Sequence, residues 1–484
     1  MVFLSFDSFV RCPGGGRSVL EMHPLIHSFI HSFNHSFTHP QFTDDDDAYD
    51  DAMDGYCARA NQAIRARDGA TLATCVDVRV ILNDAQRDLM SMMRTAQTSV
   101  MVDSACASMT RECERRGIAR DEGWSEILGA FACAAAMRGC AAGAAGAAGG
   151  VGGGASSYKA SRDAHANATK ALVKAFKSAE DGEWMTPVIR KVVDDTREVA
   201  QLADEELKRR GEKPSCLADA GSTLMLVYRA VSQTSNAEKK TPQLHVVNAL
   251  FKVYFELNAL HLCKNLINAV NLPTFLPFDS FPKSEKVTYN FYVGRLAVFE
   301  DAYERAEKHL TYAFAKCHKS SKKNIRLILR YLIPVKLILG ILPSKKLLET
   351  YGLNEFRDVV EAMRRGDARL LDSALDAGEA EFIRQGTYLI LEKLRMSVYR
   401  TLFKRVHAIH GAAEPAKSNQ VALRKFQIAL EWCGADVDAD EVECIVANLI
   451  FRKFVKGYIS HKNKVVVLSK TDAFPSLKSV FADA

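Results

Sequence analysis

The sequence lacks the marks of the common catalytic classes. There is no Gly-Lys dipeptide, so no P-loop can wrap a phosphate. No G-x-S-x-G elbow occurs, and no His-x-His pair of the metal-dependent isopeptidase type. Cys-x-x-Cys spacing is absent, which excludes the usual zinc and dithiol redox sites. Twelve cysteines in 484 residues is also far below a disulfide scaffold. The closest pairs, Cys106/Cys113 and Cys133/Cys140, are seven apart, two turns along one helix face. They read as buried free thiols, which fits a reducing compartment, cytosol or nucleus. A long apolar run is missing as well. The window Ile325–Leu342 carries Arg326, Arg330, Pro334 and Lys336, charges too costly for a bilayer span. Val2-Phe3-Leu4 has no basic flank and is broken by Asp7, a poor signal peptide. His407-x-x-His410 has no third ligand in view and reads as a core-edge pair. No catalytic, cofactor or metal residue is therefore expected, and a soluble, non-enzymatic protein without a membrane partner is.

What is present is an ordinary globular balance, 48% apolar and 25% charged, enough for roughly two to four domains at ~150 residues each. Residues 1–55 read as a disordered low-complexity extension. His23, His27, His31, His35 and His39 recur every four residues, and seven Asp crowd between Asp44 and Asp54. Residues 56–138 show helical periodicity through Ile64, Leu72, Val76 and Val80. The Ala/Gly stretch 139–157 reads as a flexible linker. No Lys occurs before Lys159, so composition shifts at the same place.

From 158 to 410 helical patterns follow one another with short breaks, as in an α-solenoid of stacked helical pairs. Leu244, Val247, Phe251, Tyr254 and Phe255 form one stripe. Ser284 is placed to cap the next helix and Asp301 to begin another. Small residues, Gly294 with Ala302, Ala306 and Ala313, stand where these two helices would cross closely. Later helices start near Asn324, bent at Pro334, then near Asn354, Asp367 and Thr387. The span 411–475 changes character. Ser418–Trp432 reads as an amphipathic helix, and Asp438 with Glu441 is capping-box-like. A wide apolar stripe runs through Val442, Ile445, Val446, Leu449, Ile450 and Phe454 and stops at Gly457. Tyr458–His461 and Lys464–Ser469 then read as a hairpin around Lys462-Asn463. Helix, helix, helix, hairpin is the order of a winged helix. Residues 476–484 remain as a tail.

The net charge of +6 is too mild to mark the whole chain as a nucleic-acid binder, yet bases are clustered. Lys308–Leu348 holds ten bases and no acid, with Lys319, Lys322 and Lys323 at a helix–helix turn. Cys444–Thr471 is again free of acids and holds Arg452, Lys453, Lys456, Lys462, Lys464 and Lys470. Arg452, Lys453 and Lys456 fall at the end of the third winged-helix helix, and Lys462 and Lys464 flank the wing turn. A recognition helix and wing are where such folds meet a nucleic-acid backbone. An acidic protein partner, or a solvated basic face, fits the same residues.

Several stretches carry a family resemblance. They are 226–229 (LVYR), 248–255 (NALFKVYF), 260–264 (LHLCK), 287–295 (VTYNFYVGR), 331–336 (YLIPVK) and 455–461 (VKGYISH). Across about 215–475 the chain resembles the PCI domain-containing protein 2 family, the Thp-one type subunit. The Gly366-Asp367 turn before Leu370 and Leu371 is similar to the generic PCI helix pair. The resemblance implies an all-α, TPR-like solenoid followed by a winged helix. It implies membership of the nuclear second transcription-and-export complex (TREX-two), which acts in transcription elongation and mRNA export at the nuclear pore, with some protein in the cytoplasm. The implied partners are a Sac-three/GANP-type scaffold and a small acidic protein of the Sem-one/DSS-one type. Double-stranded DNA and RNA, bound without sequence preference, are the implied ligands. A related expectation is a PCI scaffold subunit of a proteasome-lid or signalosome-like assembly, without nucleic-acid contact.

Overall fold

The computed structural model describes residues 45–79, 99–118, 123–146 and 158–482. Within them the first five helices are α1 Asp45–Arg65, α2 Gly69–Cys75, α3 Ser99–Arg115, α4 Trp124–Gly146 and α5 Tyr158–Ser178. Next come α6 Thr186–Arg209, α7 Cys216–Ser232, α8 Gln243–Glu256, α9 Leu260–Val270 and α10 Lys283–Phe299. Each packs chiefly on its neighbours in sequence, as a solenoid requires. Their core runs from Met53 to Leu296, and α10 hands it to a second core running from Phe291 to Val480.

Two expected boundaries move. Residues 45–55 belong to α1 rather than to an unfolded extension, with Met53, Tyr56, Cys57 and Ala60 buried. Acids in the first turn suit the positive end of a helix dipole, so the Asp run starts a helix. Likewise α4 continues to Gly146, eight residues into the expected linker. Alanine is the best helix former, and Ala132–Ala136 are buried. The His repeat, 1–44, and the rest of the Ala/Gly stretch, 147–157, lie outside the described residues, as does Val80.

The second half begins with α11 Tyr303–Lys316 and α12 Lys322–Ile338, which keeps Pro334 inside it. Gly294 of α10 faces α11 so closely that a Cβ would lie 2.7 Å from Leu310 Cγ. Neither Ser284 nor Asp301 caps. The α10 cap position is Pro282, and Asp301 turns the chain at φ +57 before Ala302. Short helices α13 Lys345–Tyr351 and α14 Arg357–Arg365 follow, then α15 Ala368–Gln385, α16 Tyr388–Glu392 and α17 Leu394–Ala413. Gly366 ends α14 at φ +72, and a Cβ there would meet Leu402 N of α17 at 2.5 Å.

The chain then forms strand β1 Gln420–Ala422, helices α18 Leu423–Trp432 and α19 Ala439–Phe451, and strands β2 Gly457–Ser460 and β3 Val465–Leu468. The sheet is antiparallel in the order β1-β3-β2, with Val421 opposite Val466 and Ile459 opposite Val466 on the other side. Strand β1 replaces the first turn of the helix expected from Ser418. Val421 and Leu423, two apart and both buried, fit a strand's period. His410 fixes the entry, its Nε2 3.2 Å from Lys417 O and 2.9 Å from Gln420 O. The capping box at Asp438 and Glu441 is present in full. Helix α19 stops at Phe451, six residues before Gly457. The last segment is held down: Arg400 of α17 donates to Phe474 O at 3.0 Å, and α20 Leu477–Ala482 buries Leu477 and Val480.

Candidate nucleic-acid interface

Helix–strand–helix–helix–hairpin, with the first strand beside the last, is winged-helix topology, and α19 is its third helix. Arg452, Lys453, Lys456, Lys462, Lys464 and Lys470 are all exposed, as are Lys319, Lys322 and Lys323. They do not form one patch. Arg452 is the C-cap of α19 and lies close enough to the Tyr303 hydroxyl to lower its pKa, against the larger effect of burial that raises it. Lys453 follows at φ +61, so it sits past the helix and does not share a helix face with Lys456. Its amide donates to Ile450 O at 2.9 Å, and that of Phe454 to Leu449 O at 2.9 Å, closing the α19 C-terminus. Lysine here occupies a left-handed position usually given to glycine.

Lys456 starts the wing. Its ammonium is 3.1 Å from Asp472 Oδ2, and its amide donates to Ala473 O at 2.9 Å. Lys462 and Lys464 are at the other end of the hairpin, about 20 Å away at a strand's rise. Lys464 is held by two acids of α19, Asp440 at 3.2 Å and Glu443 at 3.0 Å. His461 Nδ1 is 2.7 Å from the second carboxyl of this cluster, at Glu443 Oε1. Hydrogen bonds from His461 and Lys464 hold Glu443 below the usual carboxylate range, and the same contacts raise Lys464. The wing tip is thus strapped to the first turn of α19. Arg452, Lys453 and Lys462 have no carboxylate partner among the described residues, whereas Lys456 and Lys464 do. Sequence pattern could not show this, because Asp472 stands one residue beyond the acid-free window and Asp440 and Glu443 precede it.

The second basic group lies between α11 and α12. Lys319, Lys322 and Lys323 are exposed and have no carboxylate partner among the described residues. Deeper in α12 the bases are spent internally: Arg330 is 3.2 Å from Glu381 and Lys336 2.8 Å from Glu307. Arg452 is near the Tyr303 end of α11 and the three lysines follow its other end. Fourteen helical residues separate them, about 21 Å along the axis.

The outward face of α19 carries no base. Cys444, Ala447 and Asn448 are exposed along it, and Phe451 at its end is 86% exposed. Its first turn is acidic, with Asp440 and Glu441. This helix is poorly suited to enter a DNA groove, so the bases lie around the winged helix rather than on its recognition face. His407 and His410 hold no metal arrangement. His407 packs on Phe474 with ring centroids 5.6 Å apart, and Lys425 Nζ approaches His410 Nδ1 at 2.8 Å. Among the described residues no cluster of three or more His, Cys, Asp or Glu side chains is arranged to hold a metal ion, and no helix is long and apolar enough to cross a membrane.

A helical solenoid joined to a winged helix defines the PCI class, and the family model for the PCI domain matches residues 375–470. Similar proteins extend the match toward the N-terminus. The Arabidopsis thaliana protein named enhanced ethylene response protein 5 is 42% identical over 315 residues, 65% of this chain and 75% of its own length. PCI domain-containing protein 2 of Xenopus laevis is 40% identical over 318 residues, 64% of this chain and 78% of its own. The Drosophila melanogaster homologue of that protein is 41% identical over 313 residues, 63% and 77% of the two chains. The chain belongs to the PCI domain-containing protein 2 family and is a PCI scaffold protein.

Proposed function

We propose that this protein is a non-catalytic scaffold and nucleic-acid-binding subunit of the nuclear, transcription-coupled mRNA export complex TREX-two. The observation that carries the reading is the set of six exposed bases without a carboxylate partner among the described residues, three on the winged helix and three at the α11–α12 turn. Their ~20 Å spacing suits several phosphates of one backbone, at about 3.4 Å per base pair along each strand. Five of the six are ammonium groups, point charges that cannot read bases as a bidentate Arg pair does, and Arg452 stands alone, so the ligand is DNA or RNA of any sequence. The scaffold role joins this platform to a Sac-three/GANP-type chain and a Sem-one/DSS-one-type acidic protein, in the nucleus at the pore periphery. Purifying the tagged protein from its own cells tests the assignment: both partner types should come with it, and lid or signalosome subunits should not.

A second reading has its own support. The base-free outer face of α19, acidic at its start and ending in exposed Phe451, suits a protein surface better than a phosphate backbone. It favours a PCI scaffold subunit of a lid-like or signalosome-like assembly without nucleic-acid contact. Recovery of that assembly in the same purification would select it.

A further inference from the structure

Two thiols face each other across a close helix crossing in the first core. Helices α3 and α4 run antiparallel, and three successive turns mark their register. Ser125 Oγ donates to Glu114 Oε1 at 3.2 Å. Gly129 lies against Thr110, where a Cβ would come within 2.6 Å of the Thr110 amide nitrogen. One turn further, the same register sets Cys133 opposite Cys106. Each pair steps four residues forward on α4 and four back on α3. Glycine at position 129 lets the two backbones touch, which brings the next facing pair toward the Cα separation of roughly 4.4–6.8 Å that a disulfide spans.

The two thiols differ in access. Cys106, 8% exposed, lines an open groove of about 1000 Å³ between α3, α4 and α5, together with the bases Arg111, Lys170 and Lys174 and the acids Asp103, Glu114 and Glu126. Cys133 is fully buried behind it. We propose that Cys106 and Cys133 form a peroxide-responsive pair, in which a small hydroperoxide entering the groove oxidises Cys106 and Cys133 resolves it as an intrachain disulfide. The Cys106 thiolate attacks the distal peroxide oxygen, the O–O bond breaks, and water (or an alcohol) leaves with the proton that the thiol gave up. The resulting sulfenic sulfur is attacked by Cys133, the S–S bond forms, and the S–O bond breaks. Its oxygen leaves as a second water, carrying the Cys133 proton. Two thiols are oxidised and one peroxide is reduced. The neighbouring Cys106 thiol, with burial, raises the Cys133 thiol, so it stays protonated until this second step. The product ties α3 to α4 and stiffens the N-terminal end of the solenoid.

The molecule supplies its own controls. Cys57 and Cys113 also act on each other's thiols, but they are more deeply buried than Cys106 and neither lines this groove. Cys444 is exposed on α19. The test treats the reduced full-length protein with hydrogen peroxide, alkylates the remaining thiols and maps non-reduced peptides by mass spectrometry. A linked Cys106–Cys133 peptide should appear first, with an intact mass lower by two hydrogens. In Cys133→Ser, dimedone should trap a sulfenic acid on Cys106 at least tenfold more than in wild type. Cys106→Ala should leave Cys133 reduced at the same dose. The proposal is overturned if Cys106 stays free at doses that oxidise Cys444. It also fails if the first link is Cys57–Cys113, or if Cys106 passes to sulfinic acid without a link. Should Cys133→Ser not fold, the linked peptide in wild type decides alone.

Discussion

His165 and Asp195 are both buried, and each pulls the pH dependence of stability in its own direction. Burial lowers His165 to about 3, helped by the charge of Lys191, and its ring packs edge-on to Phe131. Below pH 6.5 the unfolded chain takes up a proton there that the folded chain refuses, so stability falls as pH falls from 6.5 toward 3. The loss is about 1.4 kcal/mol per pH unit. Burial raises Asp195 to about 6, against the lowering effect of Lys191, which also meets Asp77 at 2.9 Å. Here the folded chain binds the extra proton. Its contribution is present in full below about pH 4 and is lost as pH rises through 6. His165→Leu should therefore flatten the acid limb, and Asp195→Asn should steepen it between pH 4 and 6. Urea midpoints at pH 7, 6, 5 and 4 check both signs; identical limbs in all three proteins would refute this account. The wing offers a second residue-scale test. Lys453 sits in a left-handed conformation that costs a non-glycine residue about 1 kcal/mol. Lys453→Gly should leave the fold as stable or more so while weakening nucleic-acid binding. Lys464→Ala should do the reverse, freeing Asp440, leaving Glu443 with His461 alone and loosening the wing with little change in binding. Amide exchange across Ser460–Val465, set beside binding at one salt concentration, separates the two effects.

At the scale of the element, α19 decides whether the winged helix exists. Leu449, Val442 and Val446 bury its inner face. A carboxylate at Leu449 has no partner, which costs several kcal/mol, on the order of a small domain's whole margin. Leu449→Asp should unfold residues from β1 onward and leave α1–α9 intact; limited proteolysis would show a stable N-terminal core. Cleavage spread over both halves would mean that the two cores fold as one. Much of this architecture was legible in the sequence because apolar spacing reports the buried face directly, as it does for α8, α10, α11 and the hairpin around Lys462-Asn463. Strand β1 escaped because three residues leave no period to read, and its pairing with β3 joins segments more than forty residues apart. The Asp-rich start of α1 and the Ala-rich end of α4 escaped for a different reason: composition that suggests disorder also suits a helix terminus and a tightly packed helix. The candidate site was legible only as a list of exposed bases. Which of them are already paired depends on Asp440, Glu443 and Asp472, and folding alone brings those acids to the wing.

Over the whole molecule, the segment after the wing is held down twice, by Arg400 of α17 gripping the backbone at Phe474 and by α20 with its buried Leu477 and Val480. The same core runs from α11 and α12 through the winged helix, so the wing-side bases and the α11–α12 turn belong to one packed unit. The exposed Phe451 and Trp432, 86% and 76% accessible, leave apolar surface for a partner chain. The protein made alone should aggregate and become soluble with a Sac-three-type and a DSS-one-type partner, as size-exclusion chromatography with light scattering would show. The most direct test of the central claim is a salt titration of duplex binding by the assembled complex, comparing wild type with Arg452→Glu, Lys453→Glu and Lys462→Glu combined. Wild type should bind without sequence preference, and its log–log slope should steepen by roughly 0.9 per phosphate neutralised. The triple variant should bind at least tenfold more weakly at equal salt, with a slope shallower by two to three such steps. Equal affinity and equal slope in the two complexes would contradict the account and leave the basic end as a surface for docking protein.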